Sequence, residues 1–183
     1  MTGRRPRVPS LLACALLLGA ASPPLRFVPV QPRFAESAAE YERIWKSDGP
    51  RIVESLEAMS RLRFPGTGIE AIISDARPMT SYDGRLIRLR AGYSLDYKKA
   101  TLIHELGHRL ALLLPRRAGL DDHRLLYLFL YDVWTDLYGR DFADRMVSIE
   151  RRIPGGYDYD SAWTWALSQT REQRQERLRA LRD

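Results

Sequence analysis

Histidine and glutamate come together at one place in the chain, His104-Glu105-Leu106-Gly107-His108. Histidines four residues apart stand a turn apart on one helix face, so both imidazoles can reach a single metal ion. Glu105 lies beside them, where a carboxylate can take a proton from a metal-activated water. With 3 His among 183 residues, chance yields about 0.003 such matches. Leu102, Ile103, Leu106, Leu110, Leu113 and Leu114 give the same helix an apolar stripe, which buries it on its far side. Two histidines flanking a glutamate in such a helix are costly to bury without a ligand.

A metal centre of this kind needs a third protein ligand. Asp121, Asp122, His123 and Asp132 are the available residues downstream. The spacing predicts one helix over residues 122–138, on which Asp132 and Asp136 share a face with Leu125, Phe129 and Val133. Two carboxylates on an apolar face are expensive unless something positive meets them. A metal ion and a metal-bound histidine meet that need. On one regular helix His123 lies about 900° of rotation from Asp132, on the opposite side. His123 is therefore the rival ligand, and the two cannot serve together.

His104-Glu105-x-x-His108, a short connection and Asp132-x-x-x-Asp136 on a following helix resemble a gluzincin-type zinc metallopeptidase. The resemblance covers roughly residues 69–138. It implies Zn2+ held by His104, His108 and Asp132, with Asp136 orienting His104. It departs from the family in carrying Asp132 where a glutamate is usual, as the related aspzincins do, and in the charged Arg109 after the second histidine. The metzincin spacing is excluded, because it requires glycine at Ala111 and histidine at Leu114. The resemblance further implies a peptide substrate laid along an edge strand near Leu86–Arg90, and a side chain that holds the developing oxyanion. Tyr157, with Tyr159 beside it, follows the flexible Gly155-Gly156 and is the expected residue for that role.

The elements around the motif follow from patterning. Ala39, Tyr41, Ile44 and Trp45, then Ile52, Val53, Leu56 and Met59, recur at helical spacing over residues 36–61, and Gly49-Pro50 is expected to split them into two helices. Residues 69–73 read as a buried strand. Asp83-Gly84 predicts a hairpin between 79–82 and 85–90. Helices are expected over 96–114, 122–138 and 161–181, with Gly139 capping the second. The fold class is α+β, a small zincin-like domain: a short antiparallel sheet or hairpin packed on the active-site helix, with further helices.

The remaining sequence sets the context. Residues 1–21 place Arg4, Arg5 and Arg7 before an apolar run at 11–21, a signal peptide or signal-anchor too short to span a bilayer as a helix. Pro23, Pro24, Pro29 and Pro32 make 22–35 a proline-rich linker, leaving 36–183 as a single metallopeptidase-like domain. Export to the periplasm or exterior is the expected localisation, with any membrane contact through the N-terminal segment alone. One cysteine excludes an intrachain disulfide framework. Half of the +6 charge lies in the first seven residues, and the arginines of the tail alternate with Glu172, Glu176 and Asp183, which disfavours nucleic acid. The expected activity is zinc-dependent peptide-bond hydrolysis with Glu105 as general base. The alternatives are an inactive metallopeptidase-like binding or scaffolding domain, and a cytoplasmic peptidase of the repressor-cleaving type.

Overall fold

The computed structural model describes residues 22–115 and 117–183; the expected targeting segment lies outside them. Seven α-helices and a four-stranded mixed sheet make up the α+β architecture of the described residues. No helix among them is long and apolar enough to cross a membrane.

The strands are β1 (Leu25–Pro29), β2 (Ile69–Ser74), β3 (Met79–Thr80) and β4 (Leu86–Arg90), in the spatial order β1-β2-β4-β3. β1 pairs parallel to β2 and β2 parallel to β4, while β3 alone runs antiparallel, with Thr80 opposite Ile87. The sheet is thus mostly parallel, not the antiparallel one expected. The residues read as a linker supply an edge strand instead: Leu25, Phe27 and Val28 offer apolar side chains, and Pro29 sits at the strand end, where a missing N–H costs least. Leu86–Arg90 is not an edge. It hydrogen-bonds β2 on one side and β3 on the other, so the free edge on that side belongs to Met79–Thr80.

The long helix α1 (Ala35–Ser60) runs through Gly49-Pro50 without a break. An internal proline costs roughly 3 kcal/mol. Burial of Tyr41, Ile44, Ile52, Val53 and Leu56 on the two sides of it outweighs that cost, since each large side chain contributes about 1.5–3 kcal/mol. Tyr41 also donates its hydroxyl to the Arg90 carbonyl at 2.9 Å, fastening α1 to the end of β4.

Next comes α2 (Leu95–Ala111), capped by Ser94 and carrying the histidine motif. It packs against α1, β3 and β4 and is buried along nearly its whole length. Where one helix was expected over 122–138, the chain forms α3 (Asp122–Tyr127) and α4 (Leu130–Tyr138). Leu125 to Leu130 are all fully buried. Six consecutive residues cover every side of a helix, so a straight helix would have to be enclosed all round. The chain turns at Phe129 (φ −138°, ψ −19°) and buries the run between neighbours instead.

After Gly139 comes a helix that the sequence reading lacks, α5 (Arg140–Glu150). The expected last helix is two, α6 (Tyr159–Leu167) and α7 (Arg171–Arg182), separated where Thr170 and Gln173 form a reciprocal capping box.

Candidate metal centre and cleft

His104, His108 and His123 converge. Their ligand-capable nitrogen atoms all lie within 4.8 Å of one another, and the Nε2 atoms of His104 and His108 are 3.1 Å apart. α2 supplies the first two at one-turn spacing, and α3 brings the third across. Gly107 sets how closely α3 can approach. A Cβ built there would stand 2.5 Å from Leu126 Cδ1, so the glycine inside the motif is the socket into which α3 settles. Asp121 caps α3 by accepting from the Arg124 N–H at 2.9 Å, which fixes the turn before His123.

Glu150, at the end of α5, holds His104 from behind. Its Oε1 lies 2.8 Å from His104 Nδ1, and its Oε2 accepts from the Tyr127 hydroxyl (2.9 Å) and the Trp163 indole N–H (3.0 Å). Burial works against its charge, but His104 and these donors hold the carboxyl below its ordinary range. Burial likewise opposes charge on His104, and the Glu150 carboxylate outweighs it, raising that imidazole. His108 and His123 go the other way: burial and the neighbouring His104 push His108 well down and His123 to about 4. Both shifts favour the neutral imidazole, the form in which a ring nitrogen can bind a metal ion, and the Nε2 atoms of His104 and His108 face each other.

The His104–His108 pair has the spacing of two zinc ligands. Two imidazole nitrogens bound tetrahedrally at 2.0–2.1 Å lie about 3.4 Å apart, close to the observed 3.1 Å. Three neutral-capable imidazoles with a carboxylate-held ring make a donor set suited to Zn2+.

Glu105 is buried on the same helix and faces the cleft. The Thr80 hydroxyl shares one proton between Glu105 Oε2 (2.8 Å) and its carbonyl oxygen (2.9 Å), joining the carboxylate to β3. Burial raises the Glu105 carboxyl above its ordinary range, which makes it a stronger base. The cleft has a volume of about 600 Å³ and is bounded by β3, by α2 and by the segment leading from α5 to α6.

Asp132 does not join the histidines, and its expected role as a ligand is corrected. Its carboxylate meets Arg174 of α7 edge to edge, with Nη2 2.6 Å from Oδ1 and Nε 3.2 Å from Oδ2. Asp136 is likewise not beside His104 but takes two hydrogen bonds from Arg171, at 3.0 and 2.7 Å. Of the two carboxylates only Asp132 is buried and Asp136 is exposed; the arginines that meet them come from a helix 35 or more residues downstream. The rotation that set His123 against Asp132 assumes a continuous helix, and the turn at Phe129 removes it.

Tyr157 donates its hydroxyl to Asp121 at 2.6 Å and packs its ring at a tilt against His123, with centroids 4.4 Å apart, and it is not among the residues that line the cleft. Tyr159, 4.8 Å from the His123 ring, lines the cleft together with Tyr82, Tyr93 and Tyr97, and among these four it is the one whose ring packs on His123. Glu150 is the functional residue that sequence reasoning missed. Its signal was present: Phe142, Ala143, Met146 and Val147 form an apolar stripe, and Glu150 falls on it. Arg109 is turned away from the centre, buried, and bonded to Thr67 O and Oγ1 at 2.9 and 2.7 Å. No protein-family model, curated protein or solved structure matches this chain.

Proposed function

We propose that the protein is a zinc-dependent metallopeptidase of the zincin kind, with His104, His108 and His123 as its ligands. The convergence of the three histidines beside Glu105 in an open cleft carries this reading. The bound metal would supply Lewis acidity toward a substrate carbonyl and toward water. The chain's own residues do the rest. Glu150 fixes His104 with Nδ1 as the donor and Nε2 directed at the centre. Glu105, its basicity raised by burial, takes the proton of the attacking water and passes it to the leaving amine. Thr80 keeps that carboxylate in place while β3 offers its free edge to an extended peptide. Tyr159 faces the cleft with a hydroxyl that makes no hydrogen bond among the described residues, and it takes the oxyanion-holding role expected of Tyr157.

Metal content by mass spectrometry of the purified full chain tests the ligand set. One equivalent of zinc is expected in the wild type and in folded Asp132→Ala, with loss in His123→Ala. Zinc lost in Asp132→Ala but kept in His123→Ala overturns the assignment. Glu105→Gln is expected to keep its zinc and lose nearly all hydrolysis of a quenched-fluorescent peptide mixture. A Glu105→Gln protein as active as the wild type refutes the mechanism, and a zinc-loaded wild type that cuts none of the mixture favours a binding domain without turnover. Export belongs to the same proposal, and recovery of an uncleaved chain from the cytoplasmic fraction would redirect it toward the repressor-cleaving type.

A further inference from the structure

The lining of the cleft bears on which peptides it accepts, an inference that rests on the peptidase reading above. Three arginines line it, Arg77, Arg90 and Arg152, all exposed, and none is ion-paired among the described residues. Their neighbours in the chain behave differently: Arg145 pairs with Asp96 at 3.3 Å and Arg151 with Asp160 at 2.6 Å. The acids that line the same cleft are already engaged. Glu150 is buried against His104, Tyr127 and Trp163, Asp122 is paired with Arg117, and Glu105 is bonded to Thr80.

Two of the three arginines, Arg77 and Arg90, are also placed by the surrounding chain. Arg77 donates to the Pro154 carbonyl at 2.8 Å, joining the loop after β2 to the segment after α5. Gly155 makes room for it: with φ at +150°, a Cβ there would stand 2.7 Å from Arg77 Nη1. Arg88 donates to the Arg77 carbonyl at 2.7 Å and fixes the backbone on the other side. Arg90 lies over the Tyr93 ring at 5.7 Å, which leaves its guanidinium edge free. Arg152 makes no side-chain hydrogen bond among the described residues. The other exposed parts of the lining are Met79 and the almost wholly exposed Tyr82 on the hairpin, Pro154, and Asp122, whose carboxylate is paired with Arg117.

We propose that the cleft selects acidic peptides, with a substrate carboxylate held by Arg77, Arg90 and Arg152 while the peptide lies along β3. A guanidinium with no internal ion pair gives a planar pair of donors to a carboxylate without first giving one up, and Arg77 and Arg90 are in addition held in place by neutral partners.

The test is a binding measurement on zinc-loaded, full-chain Glu105→Gln protein. The probes are fluorescein-labelled, acetylated alanine heptapeptides with a central Phe, in which a single Glu or Gln is walked through the other positions. Fluorescence anisotropy gives each Kd. Glu is expected to bind about tenfold tighter than Gln at one or two positions, with the gain falling as salt rises. That gain is expected to vanish in Arg77→Gln/Arg152→Gln and to shrink in Arg152→Gln alone, an exposed change that leaves the thermal melt unmoved. Equal affinities for the Glu and Gln series, or a gain that survives both arginine variants, overturn the proposal. Failure of all peptides to bind overturns it as well. Selective binding by a wild type that cuts nothing removes the peptidase reading and keeps the acidic preference. Cleavage without any preference for Glu removes the acidic preference alone.

Discussion

Asp132 and Glu150 are buried almost equally, at 4% and 3% exposure, each on the apolar face of a short helix. Asp132 is met by Arg174, whose Nη1 donates in turn to the Ala166 and Gln169 carbonyls at 3.3 and 2.6 Å. That pair is closed: it locks α7 onto α4 and the end of α6 and presents nothing outward. Glu150 is met by a histidine, a tyrosine and a tryptophan, and the histidine has a second nitrogen. Glu150 therefore acts beyond its own pocket, by fixing which nitrogen of His104 faces the cleft. Whether a buried carboxylate is structural or functional depends here on its partner and not on its own burial.

The comparison is broken most forcefully by Asp132→Ala. It leaves the buried Arg174 charge uncompensated and is expected to destabilise by about 3–5 kcal/mol, or roughly 10 °C in Tm, with zinc stoichiometry unchanged in the folded fraction. A thermal melt read with metal analysis checks both halves, and loss of zinc at an unaltered Tm would reverse the roles assigned to the two carboxylates.

Glu150→Gln is expected to do the opposite. One of its amide hydrogens would face the Trp163 N–H or the Tyr127 hydroxyl, costing about 1–3 kcal/mol. Its zinc affinity is expected to fall 10–100-fold, the usual cost of losing a carboxylate behind a ligating histidine. Chelator competition measures this, and an unchanged affinity would reduce Glu150 to a structural residue.

Gly107→Ala probes the seat of α3. The added methyl meets Leu126, so an overpacking cost of about 1–3 kcal/mol is expected. Zinc affinity should weaken with it, because His123 rides on α3; a stability loss without weaker zinc binding would separate the two. The smallest effect is expected from the double variant Asp132→Leu/Arg174→Leu. Replacing both partners with apolar side chains is expected to change stability by less than about 1 kcal/mol and to leave zinc binding untouched. A large zinc defect there would mean that the α4–α7 lock is coupled to the centre after all.

Much of the fold was legible because it depends on local pattern. β2, the turn at Asp83-Gly84, the helix around residues 96–111 and the stop at Gly139 all follow from side-chain periodicity or backbone preference. Gly49-Pro50 reads as a break because its penalty of about 3 kcal/mol is local, while the core that outweighs it on either side is not. The break at Phe129 carried no proline or glycine to announce it; its signal was the length of the apolar run from Leu125 to Leu130, which exceeds one helix face. β1 was hidden among prolines, since an edge strand needs a hydrogen-bonding neighbour that sequence alone does not supply.

The pair His104 and His108, with Glu105 between them, was legible in the chain alone, since four-residue spacing on a helix fixes their common face. It was also legible there that buried carboxylates downstream must find positive or hydrogen-bonding partners. Which partner each found is a matter of tertiary structure: Arg174 took the buried Asp132, His104 took the buried Glu150, and Asp136, left at the surface, took Arg171. The physical reason is that partner choice depends on distances between elements far apart in the chain. These distances follow from how a glycine admits α3 and where a buried run forces a turn, and neither is a property of any one residue's neighbours in sequence.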